Sequence, residues 1–206
     1  MSVEVKICGL TNRDDAQAAL DLGADYLGFV LYSRSPRGIS SNKLSVIIDA
    51  LPSGIKSVGV FVNESRAKVE KIASDCGLYA VQIHGDEPAG DFADFPCRVW
   101  RAVKHVSGLW KPLPETWNAE RYVVDSSIAG LYGGTGVIAD WKVSAGFVKE
   151  HPAMLSGGLT PENVADAIRA TRPLGVDVAS GVEAAPGKKD AGKLREFIQN
   201  ARTVKI

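Results

Sequence analysis

The chain is predicted to be an α/β protein, a (βα)8 barrel forming a single domain over residues 1–206. Three observations predict it. Short β-rich apolar runs alternate with helical segments about eight times. Such alternation implies parallel strands joined by right-handed crossovers. The length of 206 residues suits one barrel of roughly 200–250 residues. A doubly wound open sheet is the competing architecture, but it usually has five or six strands, and eight units in so short a chain favour closure.

The elements follow in order. Val3–Cys8 is a strand-like run, and Asn12–Leu22 a helix with Ala16, Ala19 and Leu20 at helical spacing. Asp25–Leu31 is the second strand, Lys43–Leu51 the second helix and Ser57–Val62 the third strand. Glu64–Cys76 is an amphipathic helix: Val69, Ile72, Ala73 and Cys76 fall at i, i+3, i+4 and i+7, and Gly77 suits its end. Tyr79–Ile83 is the fourth strand, with a short helix near Pro88–Phe92. Arg98–Val103 is the fifth. Between His105 and Asn118, Pro112 and Pro114 allow only a short or irregular helix. Tyr122–Asp125 is the sixth strand, followed by a glycine-rich loop and a helix near Lys142–Lys149. Ala153–Ser156 is the seventh. The next helix has Thr160 as cap, Pro161 at its first position and Val164, Ala167 and Ile168 on its apolar face. Val176–Ser180 is the eighth strand, and a helix from about Asp190 to Asn200 closes the chain.

Basic and acidic residues balance at 24 each, so no strong basic field favours nucleic acid or an anionic membrane. No stretch approaches the ~18 apolar residues of a membrane span, and the acidic start lacks a signal-peptide core. The three cysteines, Cys8, Cys76 and Cys97, form neither a disulfide framework nor a metal pair, which points to the cytoplasm. No metal is expected, because His84, His105 and His151 show no ligand spacing. Gly133-Gly134-Thr135-Gly136 lacks the full dinucleotide fingerprint.

In a barrel the site lies at the C-terminal ends of the strands. There stand Cys8 and Gly9, Arg34 and Arg37, His84 and Asp86, Asp125, Gly157 and Gly158, and Ser180 and Gly181. Adjacent glycine-bearing loops after the last two strands suggest a phosphate site, since bare N–H groups and helix dipoles attract anions; the alternative is tight turns alone. On residue type, Cys8 reads first as a small core hydrophobe and second as a thiolate. Asp125 closes an apolar run, where desolvation suits a general acid; a cap or ion pair is the alternative. Arg37 is either a solvated charge or a bidentate grip on a carboxylate. His84 lines the pocket on this reading, and His105 and His151 lie at the surface.

The segments Lys6-Ile7-Cys8-Gly9-Leu10-Thr11, Ser35-Pro36-Arg37, Val81-Gln82-Ile83-His84-Gly85, Val124-Asp125-Ser126, Gly133-Gly134-Thr135-Gly136, Ser156-Gly157-Gly158-Leu159 and Gly175 to Glu183 occur in order along the whole chain. Together they resemble the phosphoribosylanthranilate isomerase family of tryptophan biosynthesis. The resemblance implies a cofactor-free Amadori rearrangement, with Asp125 as general acid and Cys8 as general base, which reverses the weighing of Cys8. It implies that Arg37 contacts the anthranilate carboxylate and that His84 and Asp177 lie near the substrate. Gly134, Gly136, Gly157, Gly158, Ser180 and Gly181 match its phosphate-binding loops. Val137, Ile138 and Ala139 depart from the polar pair and aromatic usual before Asp140-Trp141. The only partner implied is a phosphosugar substrate, with the chain a monomer or homodimer. Another small phosphosugar isomerase or epimerase on the same barrel, or a phosphometabolite-binding barrel without turnover, is the alternative. A dual-specificity isomerase would normally pair two aspartates, and Cys8 argues against it.

Overall fold

A computed structural model describes residues 3–125 and 141–205. Eight parallel strands close into a barrel: β1 (Glu4–Ile7), β2 (Tyr26–Val30), β3 (Ser57–Phe61), β4 (Ala80–Ile83), β5 (Arg98–Val106), β7 (Arg121–Val124), β8 (Ala153–Leu155) and β9 (Gly175–Val178). Pairing of β1 with β9 and of β4 with β5 completes the ring. The helices α1 (Arg13–Asp21), α2 (Ser41–Asp49), α3 (Arg66–Asp75), α4 (Trp141–Glu150), α5 (Val164–Thr171) and α6 (Ala191–Thr203) follow six of the strands. Short 3-10 turns, Ala89–Phe92 and Pro114–Thr116, take the place of helices after β4 and β5. Among the described residues no helix is long and apolar enough to cross a membrane.

Side chains alternate across each strand. Val5 and Ile7 of β1 join the outer core beneath the helices, where Leu194, Phe197, Ile198 and Ala201 of α6 also pack. The alternate positions Glu4, Lys6 and Cys8 face the barrel interior. The interior is packed at the N-terminal end of the strands by Tyr26, Val58, Ala80, Trp100, Val123 and Met154. Arg121 lies against the Tyr26 and Trp100 rings and pairs with Glu4. This apolar floor, bolted by one ion pair, leaves the opposite end free for polar chemistry.

The barrel agrees with the order expected from sequence; three local features differ. Strand β5 runs past Val103 and turns back through β6 (Leu109–Lys111). The two turn residues, Ser107 and Gly108, both have positive φ, as a tight hairpin requires. Pro112 and Pro114 then stop the chain short of a full helix. Regular helix α5 begins at Val164 rather than at Pro161: Asn163 accepts from the Thr160 N–H through its side chain and donates to the Gly158 carbonyl, so it ties the loop instead of extending the helix. Finally, β10 (Glu183–Ala185) and β11 (Lys188–Lys189) form a small hairpin after β9.

Met154 is fully buried in the floor, so truncation leaves a cavity. Met154→Ala is expected to cost about 2–5 kcal/mol, read from the urea midpoint at unchanged slope. A loss below about 1 kcal/mol would mean that the floor is not closely packed.

Candidate active site

The C-terminal ends of the strands enclose a cleft of about 590 Å³, counting the part open to solvent. Cys8, His84, Asp125 and Asp177 line it from β1, β4, β7 and β9, with Arg37 and Ser156 at its sides. Five expected site residues therefore converge. Cys8 can sit there because Gly28 on the neighbouring strand has no side chain; a Cβ would lie 2.8 Å from the sulfur. Directly below is Lys6, register partner of Asp177 on β9, with its Nζ 3.0 Å from Asp177 Oδ1. Both are buried. Burial pulls the Lys6 ammonium down, but Asp177 and Cys8 outweigh it and its pKa is raised. Burial pushes the Cys8 thiol up, and Asp177 adds to this; Lys6 and Lys189 oppose it without cancelling it. Cys8 thus lies beside two lysine side chains with its pKa raised.

Asp125 is nearly buried. Its backbone N–H donates to the Val103 carbonyl at 2.9 Å, which fixes the end of β7 against β5. Its Oδ2 lies 3.0 Å from His84 Nε2, and His84 Nδ1 lies 3.1 Å from Gln82 Nε2. Gln82 and His84 are two residues apart on one interior face. Arg101 fastens this segment from behind, donating to the carbonyls of Ile83 and Gly85 at 2.5 and 2.6 Å. Burial lowers the Arg101 pKa to about 10 despite Glu87 and Asp86 nearby.

Arg37 reaches the cleft across Gly9, whose φ is +73° and whose Cβ would strike the Arg37 chain at 2.6 Å. Its guanidinium is not waiting with both prongs free. Nε and Nη2 bind Glu183 at 2.8 and 2.7 Å, so the two-pronged partner is internal. Glu183 also receives Lys189 at 3.1 Å, and Lys189 donates to the Ala179 carbonyl at 2.9 Å. Burial opposes ionisation of Glu183, but Arg37 and Lys189 hold it below the ordinary carboxylate range. Burial lowers Lys189 in turn.

The loops after β8 and β9 adjoin at the same rim. Gly157 and Gly158 both have positive φ, and a Cβ on Gly181 would lie 1.9 Å from the Leu159 carbonyl oxygen. Ser180 and Gly181 begin the 3-10 turn Ser180–Val182. Gly134 and Gly136, with Val137, Ile138 and Ala139, lie outside the described residues. Arg34 and Asp86 are exposed, as is His105, while His151 is half-buried against Phe147 and Tyr122. Lys6, Gln82, Glu183, Lys189 and Arg101 were not singled out from sequence. For Lys6 and Gln82 the signal existed: each stands two residues before an expected site residue on a strand, hence on the same face. For Glu183 and Lys189 nothing local announced the pairing with Arg37.

The family model for N-(5'phosphoribosyl)anthranilate (PRA) isomerase matches residues 5–200. The N-(5'-phosphoribosyl)anthranilate isomerase of Pelobacter propionicus is 45% identical over 97% of this chain and 96% of its own. Among solved structures, phosphoribosyl anthranilate isomerase from Thermotoga maritima is 38% identical with a TM-score of 0.86, covering 98% of this chain and 100% of its own. Another, solved in complex with reduced 1-(o-carboxyphenylamino)-1-deoxyribulose 5-phosphate, is 36% identical with a TM-score of 0.83 and the same coverage.

The raised Cys8 thiol gives a pH expectation. Its alkylation by iodoacetamide, followed by peptide mass spectrometry to separate it from Cys76 and Cys97, should be slow at neutral pH. It should climb about tenfold per pH unit to beyond the ordinary thiol value of ~8.5. A plateau already reached below pH 8 would contradict the dominance of burial over the two lysines.

Proposed function

The chain belongs to the N-(5'-phosphoribosyl)anthranilate isomerase family, and we propose that it performs this family's reaction with Asp125 as general acid and Cys8 as general base. The reaction turns N-(5-phospho-β-D-ribosyl)anthranilate into 1-(2-carboxyphenylamino)-1-deoxy-D-ribulose 5-phosphate, a step of tryptophan biosynthesis. It needs proton transfers only. The observation that carries the assignment is the convergence of Asp125 and Cys8 on one cleft from β7 and β1, since acid and base must reach the same substrate.

Asp125 protonates the ribose ring oxygen while the anthranilate nitrogen lone pair forms the C1′–N double bond, and the ring opens to a cationic Schiff base. That cation makes the C2′ proton acidic. Cys8, as thiolate, removes it and the electrons move to give the enolamine. The 2′-hydroxyl then loses its proton as C1′ gains one, leaving the ketone. Lys6 and Lys189 favour the thiolate electrostatically; the incoming positive charge of the Schiff base adds to them. With Nε and Nη2 of Arg37 on Glu183, Nη1 remains to donate to the anthranilate carboxylate, a charge-assisted bond at the rim. Asp177, joined to Lys6, acts next to the substrate by holding that ammonium beneath Cys8. The phosphate lies across the backbone of Gly157, Gly158, Ser180 and Gly181, in the loops after the last two barrel strands where such barrels bind phosphate.

The chain works as one catalytic domain in the cytoplasm, where its three unpaired cysteines remain reduced. Its partner is the phosphosugar substrate, and it acts as a monomer or a homodimer.

Turnover of freshly made phosphoribosylanthranilate without added metal, followed by loss of its anthranilate fluorescence, tests the roles. Asp125→Asn and Cys8→Ser should each lower kcat by about 10²–10⁴ in folded protein, the latter because a hydroxyl is a far weaker base. Arg37→Met should act mainly by raising KM. Unchanged kcat in either of the first two removes that residue from the chemistry.

A further inference from the structure

Gln82 is placed in no role by the reaction as written, yet it is 2% exposed and lies directly against the group that touches the acid. Its amide nitrogen is 3.1 Å from His84 Nδ1, and His84 Nε2 is 3.0 Å from Asp125 Oδ2. Read from the donors, this is one directed chain. The Gln82 N–H donates to Nδ1, so Nδ1 is bare and the ring proton sits on Nε2. The Nε2–H donates to Oδ2, so Oδ2 is an acceptor. A proton on Asp125 can then occupy only Oδ1, the other carboxyl oxygen.

We propose that Gln82 is a positioning residue for the general acid: it holds His84 as the neutral Nε2–H tautomer, which confines the transferable proton of Asp125 to the oxygen free to meet the substrate. The inference rests on the assignment of Asp125 as acid. Turning the amide over shows what is at stake. The carbonyl Oε1 meets no hydrogen-bond partner among the described residues. With Oε1 against the ring, Nδ1 must carry a proton. Two states then remain. A neutral ring presents bare Nε2 to Asp125, which must aim its O–H at histidine. A doubly protonated ring has taken the proton from the acid. In both, the proton faces away from the ring oxygen of the sugar. Imidazole tautomers are set by the bond made at the opposite nitrogen, and the only described group on Nδ1 is Gln82.

Among the described residues, Cys8 of β1, Tyr32 and Arg37 after β2 and Asp177 of β9 share the cleft with the pair, while Asp86 and Glu87 lie near Arg101. Arg101 holds the backbone on both sides of His84. The backbone that carries the ring is therefore held independently of Gln82, which separates tautomer control from support of the strand end.

Nitrogen-15 NMR of the ligand-free protein tests this, helped by a count of three histidines, with His84→Asn to assign the signal. At neutral pH wild-type His84 is expected to show a bare Nδ1 and a protonated Nε2. Gln82→Glu offers Nδ1 only an acceptor and should convert His84 to an Nδ1-protonated form, with kcat down at least tenfold and KM within about twofold. Gln82→Met, similar in size, should show mixed tautomers and an intermediate kcat. A wild-type His84 already protonated on Nδ1, or a Gln82→Glu variant with the wild-type tautomer or full kcat, overturns the proposal. If instead Asp125→Asn keeps its turnover while the tautomer shifts as expected, the acid assignment fails and the Gln82–His84 coupling stands.

Discussion

One buried ion pair organises this molecule. Lys6 and Asp177 face each other across the seam where β1 closes on β9, 3.0 Å apart inside the barrel. Below them the interior is an apolar and aromatic layer crossed by the Glu4–Arg121 ion pair; above them it is a cleft. Burying two charges is costly, and such a pair is tolerated only with close contact and further polar partners; losing one partner typically costs about 3–5 kcal/mol. Here the further partner is the Cys8 sulfur. The pair marks the level at which the barrel stops being core and begins to be a site.

The charges around the mouth follow from that division. Cys8 is pushed toward its thiol form by burial and pulled back by Lys6 and Lys189. Lys189 is held near it by Glu183, which also binds Arg37, and by the Ala179 carbonyl. Glu183 thus does two things at once: it orients the arginine at the rim and keeps an ammonium near the sulfur. On the opposite wall, Asp125 is approached among the described residues by His84 rather than by a lysine or arginine. The lysines face the proposed base, and the histidine faces the proposed acid. That asymmetry suits base and acid chemistry in a single cavity.

Much of this was legible in the residues. Parallel strands buried on both faces read as apolar runs, and the amphipathic helices show themselves by period, as Val69, Ile72 and Ala73 do in α3. Cys8, His84 and Asp125 were visible because strand ends are where a barrel places reactive groups. What escaped was long-range pairing. Arg37 and Glu183 are 146 residues apart in sequence, so no local pattern revealed that the arginine's fork was already engaged. Lys6 stands two residues before Cys8 and so on its face, but its ion pair with Asp177, 171 residues away, forms only when the barrel closes. The β5–β6 hairpin was missed because Ser107-Gly108 sat in a segment read for its prolines rather than for its turn.

The central claim is that Cys8 and Asp125 address one sugar whose phosphate lies at the β8–β9 rim and whose aromatic acid lies at Arg37. A crystal structure of the chain with a stable reduced analogue of the ketose product measures this directly. The account predicts Cys8 Sγ against C2′, an Asp125 carboxyl oxygen within hydrogen-bond reach of the 4′-oxygen, and phosphate oxygens on the N–H groups around Gly158 and Gly181. A ligand bound in the reverse sense, with its phosphate on Arg37 and its ring at the glycine loops, would contradict it.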